Sequence, residues 1–121
     1  MVVDRTAMIG ADYWAVWWRP RVGVTAADLD AVLEEHLAWM LGLEREGHVL
    51  ASGPITSGPG ASAGSGLTVL RAGSSDDAAR LAAQDPFVLK GFRTFEIFGW
   101  RLMEGALTVR LSFGTATYKI T

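Results

Sequence analysis

The spacing of apolar residues changes along the chain, and each spacing predicts a different element. One stripe at the helical spacing of three or four residues consists of Leu29, Leu33, His36, Met40 and Leu43. This stripe predicts an amphipathic helix over residues 29–46 that carries a histidine on its inward side. Such a histidine needs a hydrogen-bond partner, because a buried polar group without one costs about 1–3 kcal/mol.

Four other runs have the length and composition of β-strands, namely residues 13–18, 49–52, 67–71 and 92–101. The first and the fourth carry apolar side chains on both faces, so both of their faces must be covered. A hairpin turn predicted at residues 103–106 leads to a last strand over 107–113, and a strand-like tail follows at 116–120. These final segments are expected to form a hairpin arm.

Short signals mark where the helices begin and end. Thr25 opens a capping box ahead of the first helix, and Ser74 opens one ahead of a second helix. Gly47 is placed to end the first helix in a left-handed conformation. The second helix must end before Asp85, because Pro86 favours an extended conformation in the residue that precedes it. Asp85 is therefore expected at a corner of the chain.

The elements follow the order strand, helix, strand, strand, helix, strand. This order predicts an α+β fold of the ferredoxin-like type, with an antiparallel sheet and both helices on one face. We expect a single domain over residues 1–121, with a core at about 13–101 and a C-terminal strand extension at 102–121. Since the helices cover one face only, a second sheet must cover the apolar residues on the other. We therefore predict a homodimer joined sheet to sheet.

Composition narrows the classes of function. Half of the residues are hydrophobic and five are tryptophan, a surplus that favours a subunit interface or a ligand cavity. The net charge of -2 with mixed signs leaves no basic stripe, so nucleic-acid binding is not expected. The chain has no cysteine, no signal-peptide pattern and no apolar run of the roughly 20 residues that span a membrane. We expect a cytoplasmic protein that does not bind membranes.

Residues 56–66 are rich in glycine, serine, alanine and proline and carry too few apolar side chains to pack. The segment lacks the lysine and the spacing of a phosphate-binding loop, which argues against nucleotide binding. It is expected to be a mobile loop that acts either as a lid or as a plain connector.

His36 and Asp85 are the main candidates for chemistry. The second helix is expected to run beside the first, so the two side chains can meet. Asp85 would then fix the tautomer of His36 and leave the other ring nitrogen free for proton transfer. The alternative is a buried hydrogen bond with a purely structural role. No second ligand lies one turn from His36, so neither a metal ion nor another cofactor is expected.

Other polar and aromatic residues are secondary candidates. Ser52 lies beside the Gly53-Pro54 exit of the second strand and is a candidate for the edge of a pocket, although no nucleophile elbow surrounds it. His48 follows the end of the first helix and is expected to be a turn residue or a charge near the helix dipole. The aromatic residues that could line a ring-shaped ligand are Tyr13, Trp14, Trp17, Trp18, Phe98 and Trp100. Core and interface packing is the alternative role for these rings.

Several short motifs occur in a fixed order: His36-Leu37, Gly53-Pro54, Ser75 with Asp77-Ala78-Ala79, Asp85-Pro86-Phe87, and Trp100. Together they resemble the YciI-like (YCII-related) domain family over roughly residues 13–100. The resemblance implies a dimeric α+β barrel with a paired histidine and aspartate in a pocket, and His36 and Asp85 occupy those positions. The residues then expected to contact a substrate are Trp14, Trp17, Ser52, Gly53, Pro54, Phe87 and Trp100.

The resemblance also implies small-molecule chemistry. A relative in the family removes chloride from a chlorinated hydroxyhydroquinone, and the wider superfamily includes muconolactone isomerases and small monooxygenases. We expect a cofactor-independent lyase or isomerase in which His36 and Asp85 move a proton on a small cyclic or phenolic metabolite, by elimination, dehydrochlorination or tautomerisation. The alternatives are a non-catalytic ligand-binding or accessory homodimer and a cofactor-free oxygenase.

Overall fold

The computed structural model describes all of residues 1–121 and divides them into two compact units. The larger unit, Asp12–Arg101, contains the main sheet and the α-helices and is called the sheet unit below. The smaller unit consists of Met1–Ala11 and Leu102–Thr121 and is called the arm unit.

The sheet unit is built on a four-stranded sheet with the strand order β2-β3-β1-β4. Its strands are β1 (Ala11–Pro20), β2 (Val49–Pro54), β3 (Gly66–Leu70) and β4 (Arg93–Leu102). β3 lies between β1 and β2 and pairs with both in the antiparallel direction. All four predicted strands are present, and their order confirms the predicted ferredoxin-like α+β fold.

The first helix was predicted as one continuous element, and this prediction is wrong. The chain forms two helices there, α1 (Ala26–Asp30) and α2 (Leu33–Arg45). Between them, the backbone of Val32, with φ −116° and ψ −2°, departs from ideal α-helical angles. The break packs Leu29 and Val32 against Phe87 in a small second core. Burial of these apolar side chains offsets the loss of one regular helical turn.

The signals at both ends of this helical stretch act as predicted. The hydroxyl of Thr25 accepts a hydrogen bond from the backbone N–H of Asp28 at 3.2 Å, and the carboxylate of Asp28 accepts one from the backbone N–H of Thr25 at 2.9 Å. These two bonds form a complete capping box. After α2, Gly47 has φ +83°, a conformation that a side chain would strain.

Two further helices follow β3. α3 (Ser75–Ala82) begins after Ser74, whose hydroxyl caps it as predicted. α4 (Pro86–Leu89) was not predicted, because Pro86 was interpreted only as a helix terminator. Proline is also common at the first position of a helix, where its missing N–H is not needed. Asp85 is extended, as expected, and its side chain caps α4. None of the helices is long and apolar enough to cross a membrane.

The two faces of the sheet differ in how well they are covered. On the inner face, which α3 covers, Val16, Trp18 and Leu70 are each at most 2% exposed and pack with Ala78 and Ala82. The opposite, outer face carries Tyr13, Trp17, Leu67, Phe98 and Trp100. Leu67, Phe98 and Trp100 are 44–45% exposed. The helices of one chain therefore leave the outer face open, as predicted.

Hydrogen bonds organise the glycine-rich segment between β2 and β3. Ser65 is only 3% exposed, and its hydroxyl donates to the carbonyl of Gly60 at 3.1 Å and accepts from the backbone N–H of Ser62 at 2.9 Å. The N–H of Ile55 donates to the carbonyl of Ser65 at 3.1 Å. Residues 56–63 remain mostly exposed, so these polar contacts hold the end of the segment without apolar packing, and its mobility stays a prediction.

The arm unit contains a 3-10 helix at Arg5–Ala7 and a two-stranded antiparallel sheet of β5 (Val109–Ser112) and β6 (Thr117–Ile120). The predicted hairpin arm is present, but the predicted turn at residues 103–106 is wrong. β5 pairs with β6 rather than with β4, so the hairpin turn lies at residues 113–116. The apolar residues of the hairpin share one face and are all more than half exposed, namely Val109, Leu111, Tyr118 and Ile120.

Candidate functional site

A cavity of about 630 Å³ lies in the sheet unit between α2 and β2. One wall consists of leucines of α2 that are 40–52% exposed, namely Leu33, Leu37 and Leu41. Leu33 was expected on the buried stripe of the helix, and it instead faces this opening. The facing wall is β2, where Ser52, Gly53 and Pro54 line the cavity. The volume and the apolar walls suit a small organic ligand.

The predicted meeting of His36 and Asp85 takes place at the bottom of this cavity. Nδ1 of His36, on α2, lies 2.8 Å from Oδ1 of Asp85, at the corner between α3 and α4. The side chain of His36 is 12% exposed and that of Asp85 is not exposed at all. His36 lines the cavity, while Asp85 lies behind it.

Asp85 has a full set of donors for a charged carboxylate. Oδ1 accepts from His36 and also from the backbone N–H of Phe87 at 3.1 Å, and Oδ2 accepts from Nε of Arg93 at 2.8 Å. Because an ionised carboxylate only accepts hydrogen bonds, Nδ1 of His36 must carry the proton. In the neutral ring, Nε2 then has a free lone pair and is the nitrogen available to a ligand.

Arg93 is a member of the site that the sequence analysis missed. It is 6% exposed, and its guanidinium lies 4.2 Å from the ring centroid of Trp18 and 4.9 Å from that of Phe87. Burial lowers the pKa of Arg93, and the charge and hydrogen bond of Asp85 oppose this shift. Nη1 also donates to the carbonyl of Gly64 at 3.3 Å. The guanidinium therefore joins Asp85 to the end of the glycine-rich segment.

A signal for Arg93 was present in the sequence. Strand positions alternate between two faces, and Arg93 shares its face of β4 with Phe95 and Ile97, which pack against the main core. An arginine whose side chain points from a strand into the core needs a buried counter-charge. The sequence analysis did not pair Arg93 with Asp85.

Phe87 fixes the position of the histidine ring. Its own ring is stacked on that of His36, with centroids 4.5 Å apart and an angle of 23° between the planes. Phe87 is 4% exposed and lines the cavity. The ring of His36 also lies near Trp39, with the two ring centroids 5.9 Å apart. The imidazole is thus held by a hydrogen bond at one edge and by aromatic contacts around it.

The structure does not bring three of the predicted substrate-contacting tryptophans to this cavity. Trp14 packs on the main core and donates from its indole to the carbonyl of Ala72 at 3.2 Å. Trp17 and Trp100 lie on the outer face, where they contact Phe98 and Tyr13. Neighbouring strand residues point to opposite faces, so the two faces of β1 could not both line one pocket. Trp18 is the tryptophan that does line the cavity.

The second histidine of the chain lies away from the cavity, and no cluster of metal ligands is present. Nε2 of His48 lies 3.6 Å from the carboxylate of Glu46, outside the cavity and near the end of α2. No three or more histidine, cysteine, aspartate or glutamate side chains are grouped so that they could hold a metal ion.

Comparison with known families identifies the family of the chain. The family model of the YCII-related domain matches residues 13–101 of the chain. The chain belongs to the YCII-related domain family. The matched region corresponds to the sheet unit and contains His36, Asp85 and Arg93. The resemblance inferred from the sequence motifs is thereby confirmed.

Among solved structures, the chain is similar to 5-chloro-2-hydroxyhydroquinone dehydrochlorinase (TftG) from Burkholderia phenoliruptrix AC1100, in complex with 2,5-dihydroxybenzoquinone. The two share 20% sequence identity with a TM-score of 0.58, over 77% of this chain and 95% of the other. At this identity the similarity establishes the shared fold. No curated protein matches the chain.

Proposed function

We propose that this protein is a small-molecule lyase or isomerase that uses His36 and Asp85 to transfer a proton on a small cyclic or phenolic metabolite. The observation that carries the proposal is the 2.8 Å hydrogen bond between Nδ1 of His36, which lines the cavity, and the fully buried carboxylate of Asp85 behind it. A buried carboxylate in this position orients the ring and stabilises the imidazolium that forms when Nε2 accepts a proton.

The chemistry is that of a general base. In an elimination, Nε2 of His36 takes a proton from a ring carbon, and the electron pair of the C–H bond forms a double bond. A leaving group such as chloride departs from the neighbouring carbon with its own electron pair. In a tautomerisation, the same imidazolium returns the proton to another atom of the ring. Both reactions are balanced without an oxidant or a reductant.

The charge balance of the site supports this role. Arg93 and Asp85 carry opposite charges and are joined at 2.8 Å, so the buried group is neutral when the histidine is neutral. Protonation of His36 adds one positive charge next to Asp85, which is the one carboxylate within hydrogen-bond distance. The site can therefore hold the extra proton for the duration of a reaction step without leaving an isolated buried charge.

The name of the structural relative supports the class of substrate. That protein is a dehydrochlorinase acting on a chlorinated hydroxyhydroquinone and was solved with a dihydroxylated quinone. The cavity of this chain has apolar walls, a stacked Phe87 and the hydroxyl of Ser52, which together suit a flat ring with oxygen substituents.

The test is the variant His36→Asn, assayed with a panel of hydroxylated and chlorinated ring compounds that includes 5-chloro-2-hydroxyhydroquinone. Substrate loss and chloride release are measured together with thermal unfolding. We expect turnover to fall by at least about a hundredfold, the usual contribution of a general base, while the melting temperature changes little. The matched control is His48→Asn, which changes a histidine outside the cavity and should keep full activity.

The rival is a non-catalytic ligand-binding or accessory protein in which the same pair is only structural. In that case no compound of the panel is consumed, and His36→Asn lowers the melting temperature sharply. Turnover that survives in His36→Asn would also contradict the proposed chemistry.

The proposal includes a homodimer in which the outer faces of two sheets pack against each other. The support is the set of large apolar side chains that remain 44–45% exposed in one chain, Leu67, Phe98 and Trp100. Tyr13 contacts Trp100 and Trp17 contacts Phe98 on the same face, and a second copy presents the same set of rings.

A further inference from the structure

A chain of hydrogen bonds ends at the cavity on the side of β2. The indole Nε1–H of Trp18 donates to Oγ1 of Thr68 at 2.9 Å, and Oγ1 of Thr68 lies 2.7 Å from Oγ of Ser52. Trp18 is 2% exposed and Thr68 is 1% exposed, whereas Ser52 lies on the exposed edge strand. All three residues line the cavity that also contains His36.

The direction of this chain follows from the donors and acceptors. An indole N–H only donates, so Thr68 accepts from Trp18. If Ser52 also donated to Thr68, the single hydroxyl proton of Thr68 would be buried with no acceptor, since its oxygen contacts no other polar group. A buried donor without a partner carries its full desolvation penalty. Donation from Thr68 to Ser52 is the direction that leaves no donor within the protein unpaired, and we assign it.

Ser52 then has an unused proton. Its oxygen accepts from Thr68, and no protein acceptor lies within hydrogen-bond distance of its hydroxyl. Because hydrogen bonds in a chain polarise one another, two donors behind Ser52 make its hydroxyl a stronger donor than an isolated serine. The cavity therefore presents an acceptor, Nε2 of His36, and an oriented donor, the hydroxyl of Ser52.

We propose that Ser52 binds the carbonyl or phenolate oxygen of the substrate, and that Thr68 and Trp18 are positioning residues that aim its proton into the cavity. The proposal rests on the function proposed above and specifies the substrate class as a ring with an enolisable carbonyl or a phenolate. When His36 takes a proton from the ring carbon next to the carbonyl, the electron pair of the C–H bond forms a carbon–carbon double bond, and the π pair of the carbonyl moves onto its oxygen. The hydroxyl of Ser52 then hydrogen-bonds the enolate that forms.

The experiment measures binding, so it is independent of turnover. Two probes of nearly the same shape are compared, 4-nitrophenolate and nitrobenzene, which differ in the oxygen that Ser52 would bind. Wild type should bind 4-nitrophenolate more tightly than nitrobenzene. Ser52→Ala should lose about tenfold in affinity for 4-nitrophenolate, the loss of one hydrogen bond to a charged group, and keep its affinity for nitrobenzene.

The relay predicts a second, graded effect. Thr68→Val keeps the shape of the side chain and removes the hydroxyl, so 4-nitrophenolate should bind about three- to tenfold more weakly, whereas Thr68→Ser should restore most of the affinity. The absorption band of bound 4-nitrophenolate should lie at a longer wavelength in Ser52→Ala and Thr68→Val than in wild type, because a donor to the phenolate oxygen stabilises the ground state. Thr94→Val, at an exposed position of β4, is the matched control.

Several results would overturn the proposal. Wild type could bind both probes equally, or Ser52→Ala could weaken both by the same factor, which would indicate a general loss of shape. An unchanged affinity and spectrum in Thr68→Val would remove the relay. These outcomes are distinct from failure of the proposed reaction, which is decided by turnover in His36→Asn.

Discussion

Trp17 and Trp18 are neighbours on β1, but they lie on opposite faces of the sheet and in opposite surroundings. Each ring is covered by an arginine: Arg19 lies 3.8 Å from the centroid of Trp17, and Arg93 lies 4.2 Å from that of Trp18. The distance from cation to ring is similar on the two faces. The two faces therefore provide a matched comparison within one strand.

Burial separates the two arginines. Arg93 pairs with Asp85 at 2.8 Å, and their side chains are 6% and 0% exposed. Arg19 pairs with Glu96 at 3.1 Å, and their side chains are 44% and 50% exposed. Water can solvate Arg19 or Glu96 if its partner is lost, because both are exposed, but it cannot reach the buried pair of Arg93 and Asp85. We therefore expect the loss of one partner to cost far more on the inner face than on the outer face.

The indole groups of the two tryptophans also differ. Nε1 of Trp18 donates to Thr68, whereas Nε1 of Trp17 is buried with no hydrogen-bond partner. Buried donors are normally paired. Nε1 of Trp39, which packs against the inner core, also lacks a partner, so the difference between the faces lies in the open apolar surface of the outer one.

The largest expected effect comes from breaking the buried pair. Arg93→Met should lower the free energy of unfolding by about 3–5 kcal/mol, because it leaves the carboxylate of Asp85 buried without its counter-charge. Arg19→Met on the outer face should change it by less than about 1 kcal/mol. Urea unfolding of both variants measures the difference. Equal losses would show that burial is not what separates the two pairs.

A matched pair of leucines on β3 tests the comparison for apolar contacts. Leu70 on the inner face is 1% exposed, and Leu67 on the outer face is 45% exposed. Leu70→Ala should cost about 2–5 kcal/mol, the usual range for a leucine in a closed core. Leu67→Ala should cost clearly less at low protein concentration and more at high concentration, if a second copy covers the outer face. Unfolding curves at two concentrations distinguish these cases.

The outer face can also be tested without a change in the core. Phe98→Lys places a charge in the exposed apolar surface, so it should convert the proposed dimer into a monomer while the protomer stays folded. Sedimentation velocity measures the mass, and Gln84→Lys, at an exposed position before α4, is the control for the added charge. A wild-type monomer, or a Phe98→Lys dimer, would contradict the proposed interface.

The smallest effect is expected for the exposed ion pair of Arg101, on β4, and Asp12, on β1. The hydrogen bond from Arg101 lowers the pKa of Asp12. The stabilisation from this pair is therefore present above the ordinary pKa of an aspartate and is lost as the pH falls through the lower value of the folded state. In Arg101→Gln, an NMR titration should show the pKa of Asp12 rising toward its ordinary value. The pKa of Asp77, which Arg80 lowers elsewhere, should stay unchanged.

Local patterns predicted most of the fold. The strand runs, the capping boxes at Thr25 and Ser74 and the left-handed Gly47 depend on a few neighbouring residues, so the sequence shows them directly. The meeting of His36 and Asp85 was also predictable, because the order of elements places both on the helical side of the sheet.

The missed features depend on contacts between distant parts of the chain. The break before α2 depends on Phe87, which lies more than fifty residues after Val32 and packs against it. The turn of the arm hairpin depends on β5 pairing with β6 rather than with β4. Similarly, the alternation along β4 shows that Arg93 points inward, but only the folded chain shows that Asp85 is its partner.

The connection between β2 and β3 offers a place to alter the molecule. Pro54 pairs with Gly66 at its base, and Arg93 binds the carbonyl of Gly64. Lengthening the segment between these fixed ends costs little, because the entropy of loop closure grows slowly with length. Insertions near Gly58, where an added Cβ would meet no atom within 4 Å, should be accommodated. Since Ala63 and Gly64 line the cavity mouth, engineered peptides grafted at this point could change which molecules enter while the proton-transfer pair stays in place.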